Sequence, residues 1–76
     1  MKGGVGMYEN LINAMKTENV TFLQMGELLE CRYQTVSDTT NGVTKKGFNF
    51  DDACEIQRVF FPQYDLQYLF KRSKAN

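Results

Sequence analysis

The stretch Thr21-Phe22-Leu23-Gln24-Met25-Gly26-Glu27-Leu28-Leu29-Glu30-Cys31-Arg32-Tyr33-Gln34-Thr35-Val36-Ser37-Asp38-Thr39-Thr40-Asn41-Gly42 reads as two short helices joined by a tight turn. Thr21 and Gln24 stand at capping-box spacing, so a helix is expected to start at Thr21. Its inward face is Met25, Leu28 and Leu29. Gly26 in mid-helix costs about 1 kcal/mol against alanine, which predicts close approach of another helix there. The second helix is expected over Tyr33 to Asn41, closed by Asn41-Gly42, a pair suited to the left-handed conformation. Val36 is its one aliphatic residue. Met25, Leu29, Cys31 and Val36 are expected to fill the wedge between the helices, leaving a polar face of Gln34, Ser37, Asp38 and Asn41 that core packing does not explain.

Upstream, Tyr8, Leu11, Ile12 and Met15 recur at helical spacing, which predicts a first helix from about Met7 to Glu18, broken by Asn19-Val20. Downstream, Val43 to Phe48 is a loop containing Lys45-Lys46-Gly47. Asn49 with Asp52 offers a further cap, leading into Ala53, Ile56, Val59 and Phe60 on a helix from about Phe50 to Phe61. Pro62 stops it, and Asp65 caps a last short helix with the apolar stripe Leu66, Leu69 and Phe70. The expected fold is all-α, with four to five short helices. Residues 7–70 form the domain, Met1 to Gly6 a flexible leader, native or not, and residues 71–76 a basic polar tail.

Composition limits the chemistry. The chain has 76 residues, 42% of them hydrophobic, with six Phe and four Tyr. A chain of this size buries roughly 60% of its unfolded surface, so a compact core without metal or crosslinks is expected. Cys31 and Cys54 lie far apart and there is no histidine, which removes zinc-finger spacing. Both are read as reduced, buried thiols. Without histidine or clustered carboxylates beyond Asp51-Asp52-Glu55, which suit a helix's acidic first turn, no acid/base or nucleophilic constellation exists. The chain is therefore read as no enzyme, with no cofactor, no metal and no small-molecule ligand. Phe60, Phe61, Tyr64, Tyr68 and Phe70 are read as core closure, with dimerisation as a surplus use. No run reaches the ~18 apolar residues of a membrane helix, and Met1 to Gly6 lacks the apolar region of a secretory signal. A cytoplasmic protein is expected. Net charge is zero, with three basic and five acidic residues through Asn41 and six basic and four acidic from Gly42 onward. Any phosphate-binding surface must be local.

From Thr21 to Ser37, with Asn41-Gly42 closing it, the stretch resembles the Cro/C1-type (XRE family) helix-turn-helix. The first helix, the Phe48-Asn49-Phe50 start and Phe61-Pro62-Gln63-Tyr64-Asp65-Leu66-Gln67-Tyr68-Leu69-Phe70 are similar to small regulators of that family from phages and mobile elements. The resemblance covers about Met7 to Phe70. It implies a lambda-repressor-like fold of five helices, binding to double-stranded DNA and a homodimer on a two-fold operator. Several positions depart from the family pattern. Phe22 stands where members often carry a Gln that clamps the DNA backbone. Glu30 takes the turn position usually given to Gly, where positive φ costs on the order of 1–2 kcal/mol, so the turn is either altered or strained. Arg32 replaces the usual Ser cap, Thr39 an apolar residue, and Asp38 a common Lys or Arg.

On this reading helix 33–41 enters the major groove. Gln34, which can bond an adenine edge in two places, is the best base reader, with Tyr33, Ser37 and Asn41 as lesser candidates. Asp38 repels phosphate unless it accepts from a cytosine amine. Arg32 either reaches phosphate or guanine or pairs with Glu30 or Glu27. Lys45 and Lys46 lie where the family's loop follows the backbone, so phosphate contact is expected, joined by main-chain amides near Asn41 and Gly42. Lys71-Arg72-Ser73-Lys74 either steers DNA through long-range charge or merely solubilises. The expected function is a sequence-specific transcriptional regulator, a repressor before an activator. The rival is a helix-turn-helix fold used as a protein-interaction module, favoured by the neutral charge, Phe22 and Asp38.

Overall fold

In a computed structural model, which describes residues 6–44 and 46–72, the chain is all-helical, with five helices and no strand among the described residues. They are α1 (Glu9–Glu18), α2 (Phe22–Leu29), α3 (Tyr33–Thr40), α4 (Phe50–Phe60) and α5 (Leu66–Leu69). The expectations for residues 1–5, Lys45 and residues 73–76 lie outside the described residues.

Local chemistry accounts for the boundaries. The α2 capping box is complete: the Gln24 N–H donates to Thr21 Oγ1 at 3.1 Å, and the Thr21 N–H to Gln24 Oε1 at 2.8 Å. Asn49 Oδ1 accepts from the Asp52 N–H at 2.7 Å to open α4, and Asp65 Oδ2 accepts from the Tyr68 N–H at 3.1 Å to open α5. Asn19 ends α1 in the left-handed conformation at φ 59°, and Gly42 at φ 77° turns the chain away after α3. Asn41, the C-cap of α3, is not left-handed itself, so the turn falls on the residue of the pair without a Cβ.

The core draws on every helix. Leu11, Met25, Ile56 and Leu69 are fully buried, with Val36 and Phe61 almost so. α2 packs on α3 and α4, while α5 joins α1 to α4. One expected core position on α4 is corrected. Ala53 and Ile56 are buried and Phe60 is half-buried, but Val59 is 49% exposed, because the buried stripe runs through Ala53, Ile56 and Phe60 and Val59 lies to one side of it, about 60° from Ile56 and about 100° from Phe60 around the helix.

An aromatic knot fixes the loop between α3 and α4. The buried Tyr8 ring meets Phe48 at 5.2 Å and Phe70 at 5.8 Å, and those two rings meet edge to face at 5.6 Å. Tyr8 also accepts from the Phe48 N–H through its hydroxyl and donates its own N–H to Thr40 O at 2.9 Å. Arg72 lies over the same ring at 4.9 Å and donates to Gly6 O, so the chain just before and just after the helices meets at Tyr8. Of the aromatic residues read as core closure, Phe61 is buried, Phe60, Tyr64 and Phe70 are half-buried, and Tyr68 is 46% exposed, stacked on Tyr64. Among the described residues no helix is long and apolar enough to cross a membrane. Among the described residues no group of three or more His, Cys, Asp or Glu side chains is placed to hold a metal ion.

Candidate functional site

α2 and α3 are joined by Glu30, Cys31 and Arg32, and the main chain decides how they meet. Glu30 is left-handed, at φ 59° and ψ 44°, so the strained alternative of the two turn expectations is the one adopted. The turn brings the Cys31 N–H onto Gly26 O at 2.9 Å. It also brings the Cys31 carbonyl oxygen to 2.8 Å and the Tyr33 nitrogen to 3.2 Å from where a Cβ on Gly26 would stand. Gly26 is therefore required for room, against the turn and the first residue of α3.

This geometry corrects the reading of Cys31. Its main chain, not its side chain, faces α2, so Cys31 is exposed rather than buried in the wedge. Cys54 is half-buried, and both are free thiols. Met25 and Val36 carry the two helices into the core, and Leu28, Leu29 and Phe22 pack against that core partly buried. Phe22 thus has a packing role at a position where the family resemblance implies a DNA clamp.

With Val36 and Thr40 turned into the core, the rest of α3 faces outward. Arg32, Tyr33, Gln34 and Asn41 are exposed; Ser37 and Asp38 are half-buried. Two side-chain bonds order this face at a spacing of one helical turn. Gln34 Nε2 donates to Asp38 Oδ1 at 2.9 Å, and Asn41 Nδ2 donates to Ser37 Oγ at 3.3 Å. Arg32 forms no ion pair with Glu30 or Glu27; among the described residues the one salt bridge joins Arg58 to Glu55 on α4. The Arg32 guanidinium is thus available to a ligand at the start of α3.

Lys46 is exposed and shares a groove of about 200 Å³ with Cys31, Thr35 and Thr39, floored by Leu29, Val36 and Phe48. The aromatic knot at Phe48 therefore holds Lys46 beside α3. Arg32, Tyr33, Gln34, Ser37, Asp38, Asn41 and Lys46 are brought to the α3 region of the surface, while Lys45 lies outside the described residues.

Two residues were not singled out from sequence. Thr35 is exposed and lines the groove with Lys46; its position next to Gln34 was the available signal. Thr40 is completely buried, with no hydrogen-bond partner for its Oγ1. A threonine at a core position of a polar helix carries no periodic signal to reveal it. Compared with protein-family models, curated proteins and solved structures, the chain finds no significant match.

Proposed function

We propose that the protein is a sequence-specific double-stranded DNA-binding transcriptional regulator of lambda-repressor-like fold, cytoplasmic and homodimeric, with α3 entering the major groove. The observation that carries this reading is the division of α3. One side is anchored through Val36, Thr40 and the Gly26 contact, and the other presents Arg32, Tyr33, Gln34 and Asn41 to solvent without a role in packing. An α-helix fits the major groove, and amide and guanidinium side chains are the groups that read base edges. Lys46 beside α3 supports backbone contact, which positions the helix without selecting sequence. Arg32 reaches phosphate or guanine, and Tyr33 and Ser37 add contacts from the same helix. A two-fold dimer would place two copies of α3 about one helical turn of DNA apart, and occupancy of a promoter would repress it.

The test compares two variants on a panel of duplexes. Gln34→Ala should flatten the preference among sequences, and Lys46→Ala should weaken all of them alike. Equal loss on every duplex for Gln34→Ala contradicts its role as a reader.

A protein-interaction module is the second reading. It is favoured by apolar exposure that DNA contact does not require, with Phe50 72% and Leu23 59% exposed, and by the Asp38 carboxylate on the α3 face.

A further inference from the structure

The bond between Gln34 and Asp38 bears on which base α3 selects, an inference that rests on the DNA-binding reading. A glutamine amide has two N–H donors and one carbonyl acceptor. Asp38 Oδ1 takes one of those donors at 2.9 Å from one turn further along α3. Rotating the amide by half a turn would set Gln34 Oε1 against the Asp38 carboxylate, acceptor against acceptor, so the carboxylate also fixes the amide's orientation. What remains for a ligand is one donor and one acceptor. In the major groove adenine offers one acceptor, N7, beside one donor, N6–H, whereas guanine offers two acceptors, N7 and O6. The tethered amide complements adenine and opposes guanine, whose O6 would meet Oε1. An untethered amide keeps both donors and accepts either purine.

We propose that Asp38 is a positioning residue that restricts Gln34 to adenine, at the expense of some attraction to phosphate. An acidic residue on the α3 face thereby has a role in recognition without touching DNA. The contact engages one carboxylate oxygen; acceptance from a cytosine amine, the role expected from sequence, would use the other.

The experiment uses the full chain and a randomised duplex pool at low salt, followed by duplexes differing by adenine or guanine at the position whose preference Gln34→Ala abolishes. The native protein should favour adenine there about tenfold, the discrimination of one good two-point contact. Asp38→Ala should reduce that ratio to roughly threefold or less while total affinity holds or rises, because a negative charge is removed. Asp38→Asn keeps the shape, but its amide can donate to Gln34 Oε1 as well as accept from Nε2, so the orientation is no longer fixed and the ratio should fall towards that of Asp38→Ala. The double variant Gln34→Ala with Asp38→Ala should discriminate no worse than Gln34→Ala alone. An unchanged ratio in Asp38→Ala, a loss additive to that of Gln34→Ala, or equal weakening on every duplex overturns the proposal and leaves DNA binding intact. A pool in which Gln34→Ala abolishes no preference overturns it as well. Failure of the native protein to bind any duplex overturns the DNA reading and this inference together.

Discussion

The main-chain oxygen of Cys31 stands 2.8 Å from the point where a Cβ on Gly26 would lie, so α2 and the turn into α3 meet backbone to backbone. That contact sets the position of α3. Backbone cannot move aside as a flexible side chain does, so Gly26→Ala must displace the turn. Overpacking of this kind costs typically 1–3 kcal/mol, and a loss of about 2 kcal/mol by chemical denaturation is expected, despite alanine's better helix propensity. A stabilised variant would show that the helices are not in such close contact.

Glu30 is the converse case. It is left-handed at φ 59° with a Cβ that disfavours that conformation, so Glu30→Gly should raise stability by about 1 kcal/mol, less the extra freedom glycine has in the unfolded chain. The denaturation midpoint should rise with an unchanged slope. A fall in stability would mean that the Glu30 side chain makes a contact worth more than the strain.

Thr40 carries a hydroxyl with no partner inside the core. Replacing it with an apolar group of the same shape removes a desolvation cost, so Thr40→Val should gain about 1 kcal/mol. The same denaturation measurement checks it, and a clear loss would show that Oγ1 is hydrogen-bonded.

Tyr64 donates its hydroxyl to Glu18 Oε2 at 3.0 Å, tying the segment after α4 to the end of α1. Partial burial first, then this hydrogen bond and the Glu18 charge, push the Tyr64 phenol above its ordinary value. The folded state therefore favours the protonated phenol. The contribution is complete below the unfolded phenol range and is lost as pH rises through the folded pKa. Tyr64→Phe should flatten the alkaline decline in stability, measured by denaturation across that range. An identical alkaline profile in the variant would contradict the coupling.

Much of this arrangement was legible because it follows from short-range chemistry. Thr21 with Gln24, Asn49 with Asp52 and Asp65 with Tyr68 announce helix starts through bonds made within one turn, and Asn41-Gly42 announces an end. Packing across the chain was less legible. Cys31 reads as an apolar wedge residue until the left-handed Glu30 turns its backbone inward, and Val59 fits helical spacing while lying off the buried stripe. The Tyr8, Phe48 and Phe70 rings come from three distant segments, so their meeting leaves no local trace. The polar face of α3 was anticipated as a group, but the Gln34 to Asp38 bond depends on side-chain rotamers.

The proposed binding of α3 to duplex DNA is decided by a salt titration. With DNA containing the region upstream of the protein's own gene, affinity should be measurable at low salt and fall steeply as salt rises, with a linear dependence of log affinity on log salt. No binding to any duplex at low salt, or an affinity indifferent to salt, would contradict the account.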